Sequence, residues 1–261
     1  MAKPSAATLA KTAAEKAAME AKISKAAADL AVAAPSLAST KGKTYETWVM
    51  FEIAARLAIS HKVKARNSAG KSTTTFRVRG GPGHIKSASE PPGKLPCHFE
   101  LGSPQAREPL ELHNSVEHVG LSDETHEFDV SAISKRYTSG LRKSAKGGPY
   151  EGPCALGLEL KAYDDATTLD KAIARALLGT VVDLHPGAVV KSVKIEFRAK
   201  ASDTYVERFG YPRAALLTTA WITPETRKFL EAYGIGSHPN VAPGHNEGDL
   251  DALASMIRPW L

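Results

Sequence analysis

Two short stretches carry the residues with the clearest chemical use. His126-Glu-Phe-Asp-Val130 holds Asp129 near its end, and Cys154-Ala-Leu-Gly-Leu-Glu-Leu-Lys-Ala-Tyr163 sets Glu159 and Lys161 two residues apart in an apolar run. Alternate side chains of a strand share a face, so Glu159 and Lys161 project together while Leu158, Leu160 and Ala162 face the other way. Two carboxylates and an ammonium pushed out of buried β structure are costly to desolvate. They call for a compensating partner such as a metal ion. Glu127 has the parity of Asp129, which suits either a contact with such an ion, direct or through water, or a supporting hydrogen bond.

The elements that must position these groups are legible around them. Residues 44–60 read as a helix in which Glu46 shares a face with Val49, Met50, Ile53 and Leu57. Glu52 lines up instead with Trp48 and Arg56, the latter at i+4. Two readings of Glu46 stand: a carboxylate turned inward toward the site, or one placed at a helix N-terminus by the macrodipole. After the Glu-x-Lys strand, residues 164–179 predict a helix capped by Thr167 with Asp170 three residues on, its stripe made by Leu169, Ile173, Ala176 and Leu177, and ended by Gly179. Residues 189–197 and 214–220 predict strands. Residues 223–234 predict a helix with Pro224 at its first position and Gly234 at its end.

Upstream, residues 60–125 read as strand-rich and punctuated by glycine and proline. Extended pieces are expected at 73–79, 97–101 and 110–116. The run Gly80-Gly-Pro-Gly83 lacks the Lys-Ser/Thr ending and following helix of a phosphate-binding loop. His113, His118 and His126 match no standard zinc spacing and read as surface or hydrogen-bonded histidines. Between the two acidic strands, residues 134–148 read as a basic loop carrying Lys135, Arg136, Arg142, Lys143 and Lys146. Such a loop serves either as a solvated surface or as a phosphate-contacting wall beside a substrate groove.

In order, the chain has a helix with an inward glutamate, an acidic strand, a Glu-x-Lys strand, a helix, a strand and a helix. With Asp129, Glu159 and Lys161 in those places, residues 44–235 resemble the PD-(D/E)XK nuclease superfamily, although Phe128 stands where that signature has proline. The resemblance implies a restriction-endonuclease-like α/β fold, a mixed central sheet flanked by helices. It also implies an endonuclease that hydrolyses phosphodiester bonds of DNA with Mg²⁺, for which Mn²⁺ can substitute. Asp129, Glu159, Glu46 and the carbonyl of Leu160 would then hold the metal, and Lys161 would position or deprotonate the attacking water or stabilise charge on the phosphate. Lys135, Arg136, Arg142, Lys143, Lys171 and Arg175 would contact nucleic acid, the last two with a plain surface role as their alternative. Restriction or phage defence is the nearest setting, with a second copy of the chain or another defence protein as a partner. The rival reading is a non-catalytic nucleic-acid-binding module on the same fold.

Composition is consistent with this reading. The chain has 261 residues and a formal net charge of +6, a balance that suits a polyanionic partner. Residues 1–40 divide off as an alanine- and lysine-rich helical arm with a linker, leaving 41–261 as the nuclease-like domain. The arm reads either as a packing, oligomerisation or DNA-clamping element or as a solvated helix. Two cysteines, Cys97 and Cys154, argue for a reducing compartment and against a structural zinc site. With no apolar run of membrane length and no secretory leader, the expectation is a cytoplasmic protein.

Overall fold

Helix α1 (Lys41–Ala58) buries Val49, Met50, Ile53 and Leu57 completely, the stripe its 3.6-residue spacing predicts. It lies against one face of a seven-stranded sheet and packs beside α5 (Gly248–Ile257). The computed structural model describes residues 41–86, 96–102, 109–163, 168–186 and 213–261. The N-terminal arm and the strand expected at 189–197 lie outside the described residues, as does Thr167. No helix among the described residues is long and apolar enough to cross a membrane.

The sheet runs in chain order from β1 (Lys62–Asn67) through β2 (Cys97–Gly102), β3 (Leu110–Val119), β4 (Thr125–Ser134), β5 (Cys154–Lys161) and β6 (Arg213–Thr218) to β7 (Gly236–His238). Strands β1 to β5 pair antiparallel, while β6 and β7 continue parallel. Parallel neighbours need a crossover, and helices α3 (Lys171–Leu184) and α4 (Pro224–Ala232) lie in the two connections concerned. Two cores result. Val130, Leu156, Leu158 and Leu160 pack on the α1 side, and Phe128, Ile133, Leu177, Leu216 and Leu230 pack on the α3 and α4 side. The chain is thus a mixed α/β sheet flanked by helices.

Several local expectations need correction. Residues 134–148 are not a loop: Lys135–Lys143 form α2, whose inner face buries Thr138. The next helix starts at Lys171, where Asp170 caps Ala172 N, and continues through Gly179 to Leu184 because Val181, one turn beyond Leu177, is still buried. Residues 73–79 form no strand. Their polar main chain is satisfied piecemeal, with Arg77 O accepting from Cys97 N and both main-chain groups of Arg79 held by the Asn114 side chain. Phe76 fixes that segment by stacking on Phe99 at 4.6 Å.

Candidate active site

The site begins where β4 and β5 part. Their register runs from Ile133↔Cys154 to Val130↔Leu158 and goes no further. At the next position the Asp129 carboxylate takes over the role of the missing ladder and accepts from Leu160 N at 2.6 Å. Just before it, β4 changes face. Phe128 packs on the α3 and α4 side and Val130 on the α1 side, although residues two apart on a regular strand share a face. On neighbouring β3, between the partners of those two residues, buried Ser115 adopts φ 48°. That conformation costs a non-glycine residue about 1–3 kcal/mol. Gly157 on β5 makes room for the turned ring, since a Cβ there would lie 2.5 Å from Phe128 Cε2.

Into this opening the flanking elements bring a cluster of charge. Lys161 Nζ lies 2.6 Å from Glu159 Oε1 and 3.8 Å from Asp129 Oδ2. From α1, Glu46 is turned inward and only 7% exposed. Its Oε2 accepts from Lys43 Nζ at 2.7 Å and from Ser115 Oγ at 3.2 Å. Lys43 also reaches Ser115 Oγ at 2.6 Å and lies 3.9 Å from Glu127 Oε1. Four carboxylates thus face two ammonium groups. Glu127 Oε1 is buried without a hydrogen-bond partner among the described residues.

The electrostatics follow from crowding. Burial, then the neighbouring charge of Asp129, pushes the Glu46 carboxyl from its ordinary 4.5 up to about 7. The same two causes raise Glu159, and burial raises Glu127. Burial would lower Lys161, but the charges of Glu159 and Asp129 outweigh it and hold the ammonium protonated. Acids that resist ionising beside one another form a site short of positive charge. Its donors are all oxygen, which suits a hard divalent cation such as Mg²⁺ better than a thiophilic metal. The residues present therefore fit that group.

The structure brings together Glu46, Asp129, Glu159 and Lys161, with the backbone of Leu160 beside them. Glu52 is elsewhere, paired with Arg56. The residues expected to meet nucleic acid are divided. Arg136, Lys143, Lys171 and Arg175 are exposed, with Lys171 Nζ 5.6 Å above the Phe229 ring. Lys135 pairs with Glu100 at 3.1 Å. Arg142 is otherwise engaged: it donates to Ser68 O, Thr138 Oγ1, His98 Nε2 and both oxygens of Glu111. Those five bonds use every N–H of a guanidinium, so Arg142 has none to give a phosphate.

Sequence reasoning missed two features. Lys43, one helical turn before Glu46, was within reach of an i,i+3 search. In the group His98, Glu111 and His113, the last two share a strand face two residues apart, but His98 comes from the neighbouring strand and had no local signal; all the donor atoms lie within 4.8 Å. Stacked rings of His98 and His113 lie 4.6 Å apart, and Arg142 rather than a metal stands against Glu111 and His98. His118 and His126 are hydrogen-bonded histidines, the first to Ser131 and the second to Asp183. No family profile, curated protein or solved structure matches the chain.

Proposed function

We propose that the chain is a Mg²⁺-dependent nuclease with a restriction-endonuclease-like fold, acting on phosphodiester bonds of DNA as an endonuclease in restriction or phage defence. One observation carries this reading: Glu46, Asp129, Glu159 and Lys161 converge from three elements at the mouth where β4 and β5 part. Asp129, Glu159 and Glu46, with the Leu160 carbonyl, would hold the cation, and Glu127 stands close enough to share it. When bound, Mg²⁺ supplies a Lewis acid that polarises the scissile phosphate and acidifies a water. The chain's own part is orientation. The Leu160 amide fixes the Asp129 carboxylate, and Lys43 with Ser115 fixes Glu46. Lys161, held protonated by its acidic neighbours, acts as a fixed positive charge that steadies the developing charge on the phosphate and orients the attacking water.

Labelled DNA and RNA, incubated with the protein in Mg²⁺, in Mn²⁺ and in excess EDTA, test the reading. DNA should be cut in either metal and left whole in EDTA. Binding without cutting under every condition would instead identify a non-catalytic nucleic-acid-binding module. Cutting that persists in EDTA would overturn the metal assignment.

A further inference from the structure

A pocket of about 400 Å³ opens between the turn after β1 and helix α2. That volume lies near the small end of ligand-binding pockets. Lys86, Lys135, Ser139 and Lys143 line it together with Ser68, over a floor that includes Glu111 and Arg142. The floor is neutral and rigid, since Arg142 and Glu111 are joined by two hydrogen bonds. Glu100, also in the wall, is balanced by Lys135 and Arg66, each 3.1 Å away. Two lysines remain uncompensated among the described residues. Lys86 Nζ donates to the Arg142 carbonyl at 3.2 Å, and exposed Lys143 has no described partner. Ser68 is buried, and its hydroxyl has no hydrogen-bond partner among the described residues.

We propose that this pocket binds a phosphate monoester of about mononucleotide size. The positive excess of the lining is carried by Lys86 and Lys143, which match a group bearing about −1.5 to −2 charge and three acceptor oxygens near pH 7. Ser139 supplies a hydroxyl at the same wall. Arg142 has no N–H left for the ligand and serves to hold the floor. The pocket is opposite in sign to the carboxylate cluster and does not depend on the nuclease reading. Its ligand has two sources, a free nucleotide or the terminal phosphate of a nucleic-acid strand.

The test is calorimetric titration of the full chain in EDTA, which removes any metal-mediated phosphate binding at the carboxylates. The probes are inorganic phosphate, adenosine monophosphate, and one oligonucleotide carrying either a 5′-phosphate or a 5′-hydroxyl. Phosphate and the nucleotide should bind at one site per chain. In Lys86→Gln/Lys143→Gln, affinity should fall by about tenfold or more, as expected for two charge-assisted hydrogen bonds. Lys228→Gln, on the exposed face of α4, serves as control, and unchanged thermal midpoints establish that the variants are folded. A preference for the 5′-phosphorylated over the 5′-hydroxyl oligonucleotide assigns the strand end as source, and equal binding of the two assigns the free nucleotide. Absence of phosphate and nucleotide binding at millimolar concentration, or undiminished binding in the double lysine variant, overturns the proposal.

Discussion

Two buried charged clusters sit on the same sheet and are built on opposite terms. Beneath α2, Glu111 is surrounded by His98, His113 and Arg142. Burial would raise its carboxyl, but hydrogen bonds from His113 and Arg142 hold it far below the ordinary carboxylate range. Every N–H of Arg142 is used and the Glu111 charge is matched, although buried His98 Nδ1 has no hydrogen-bond partner among the described residues. At the mouth of β4 and β5 the balance is reversed. Four acids share two lysines, Glu46, Glu127 and Glu159 are all raised, and Ser115 is held in a left-handed conformation among them. A compensated cluster of this kind joins elements together. A cluster that remains short of positive charge and keeps backbone strain is where chemistry is expected.

The largest effect is expected at Lys161. Lys161→Ala should lower the rate of DNA cleavage by about 10²-fold or more, the scale for losing a preorganised charge at a reacting phosphate, with circular dichroism and DNA affinity nearly unchanged. A variant that cuts at the wild-type rate would remove the Glu-x-Lys strand from the mechanism. At the compensated cluster the loss should appear in stability instead. Arg142→Ala leaves the Glu111 charge in the interior without its cationic partner, with only the neutral His113 hydrogen bond remaining, and should cost about 3–5 kcal/mol in denaturant unfolding. A loss under about 1 kcal/mol would mean that Glu111 finds another partner or water.

The two clusters also differ in the sign of their pH dependence. The folded chain holds the proton of Glu46 more tightly than the unfolded chain does. The stability this provides is therefore fully present below about pH 4.5 and is lost as pH rises through about 7, a change on the order of 3 kcal/mol. Glu111 has the opposite sign, since its contribution is present above the ordinary carboxylate pKa and is lost as pH falls. The buried neutral histidines, His98 and His113 among them, also destabilise the fold as pH falls below about 6.5. The unfolding free energy of Glu46→Gln minus that of the wild type isolates the glutamate. Without metal, that difference should grow in favour of the variant between pH 4.5 and 7, while cleavage falls by about tenfold or more. A flat difference would show that Glu46 ionises freely in the fold.

The smallest effect is expected at Glu52. It pairs with Arg56 away from the site, so Glu52→Gln should change stability by only about 0.5 kcal/mol and leave cleavage alone. Equal activity losses in the Glu46 and Glu52 variants would break the distinction between the inward and outward faces of α1.

Residues whose role depends on local periodicity were legible from the chain. The face of α1 follows from the spacing of Val49, Met50, Ile53 and Leu57, and it carries Glu46 inward. The common face of Glu159 and Lys161 follows from the two-residue period of a strand. Pro224 and Gly234 mark the ends of α4 for equally local reasons. Tertiary structure decided the rest. Charge alone could not distinguish a basic loop from α2, whose helix is defined by the burial of Thr138 and the anchoring of Arg142. Nor could it distinguish a phosphate contact from Arg142, because the partners Ser68, His98 and Glu111 lie 74, 44 and 31 residues away. The change of face between Phe128 and Val130, with Ser115 opposite, also has no sequence signal. It arises where two packed cores meet along one strand, and that meeting exists only once the sheet is assembled.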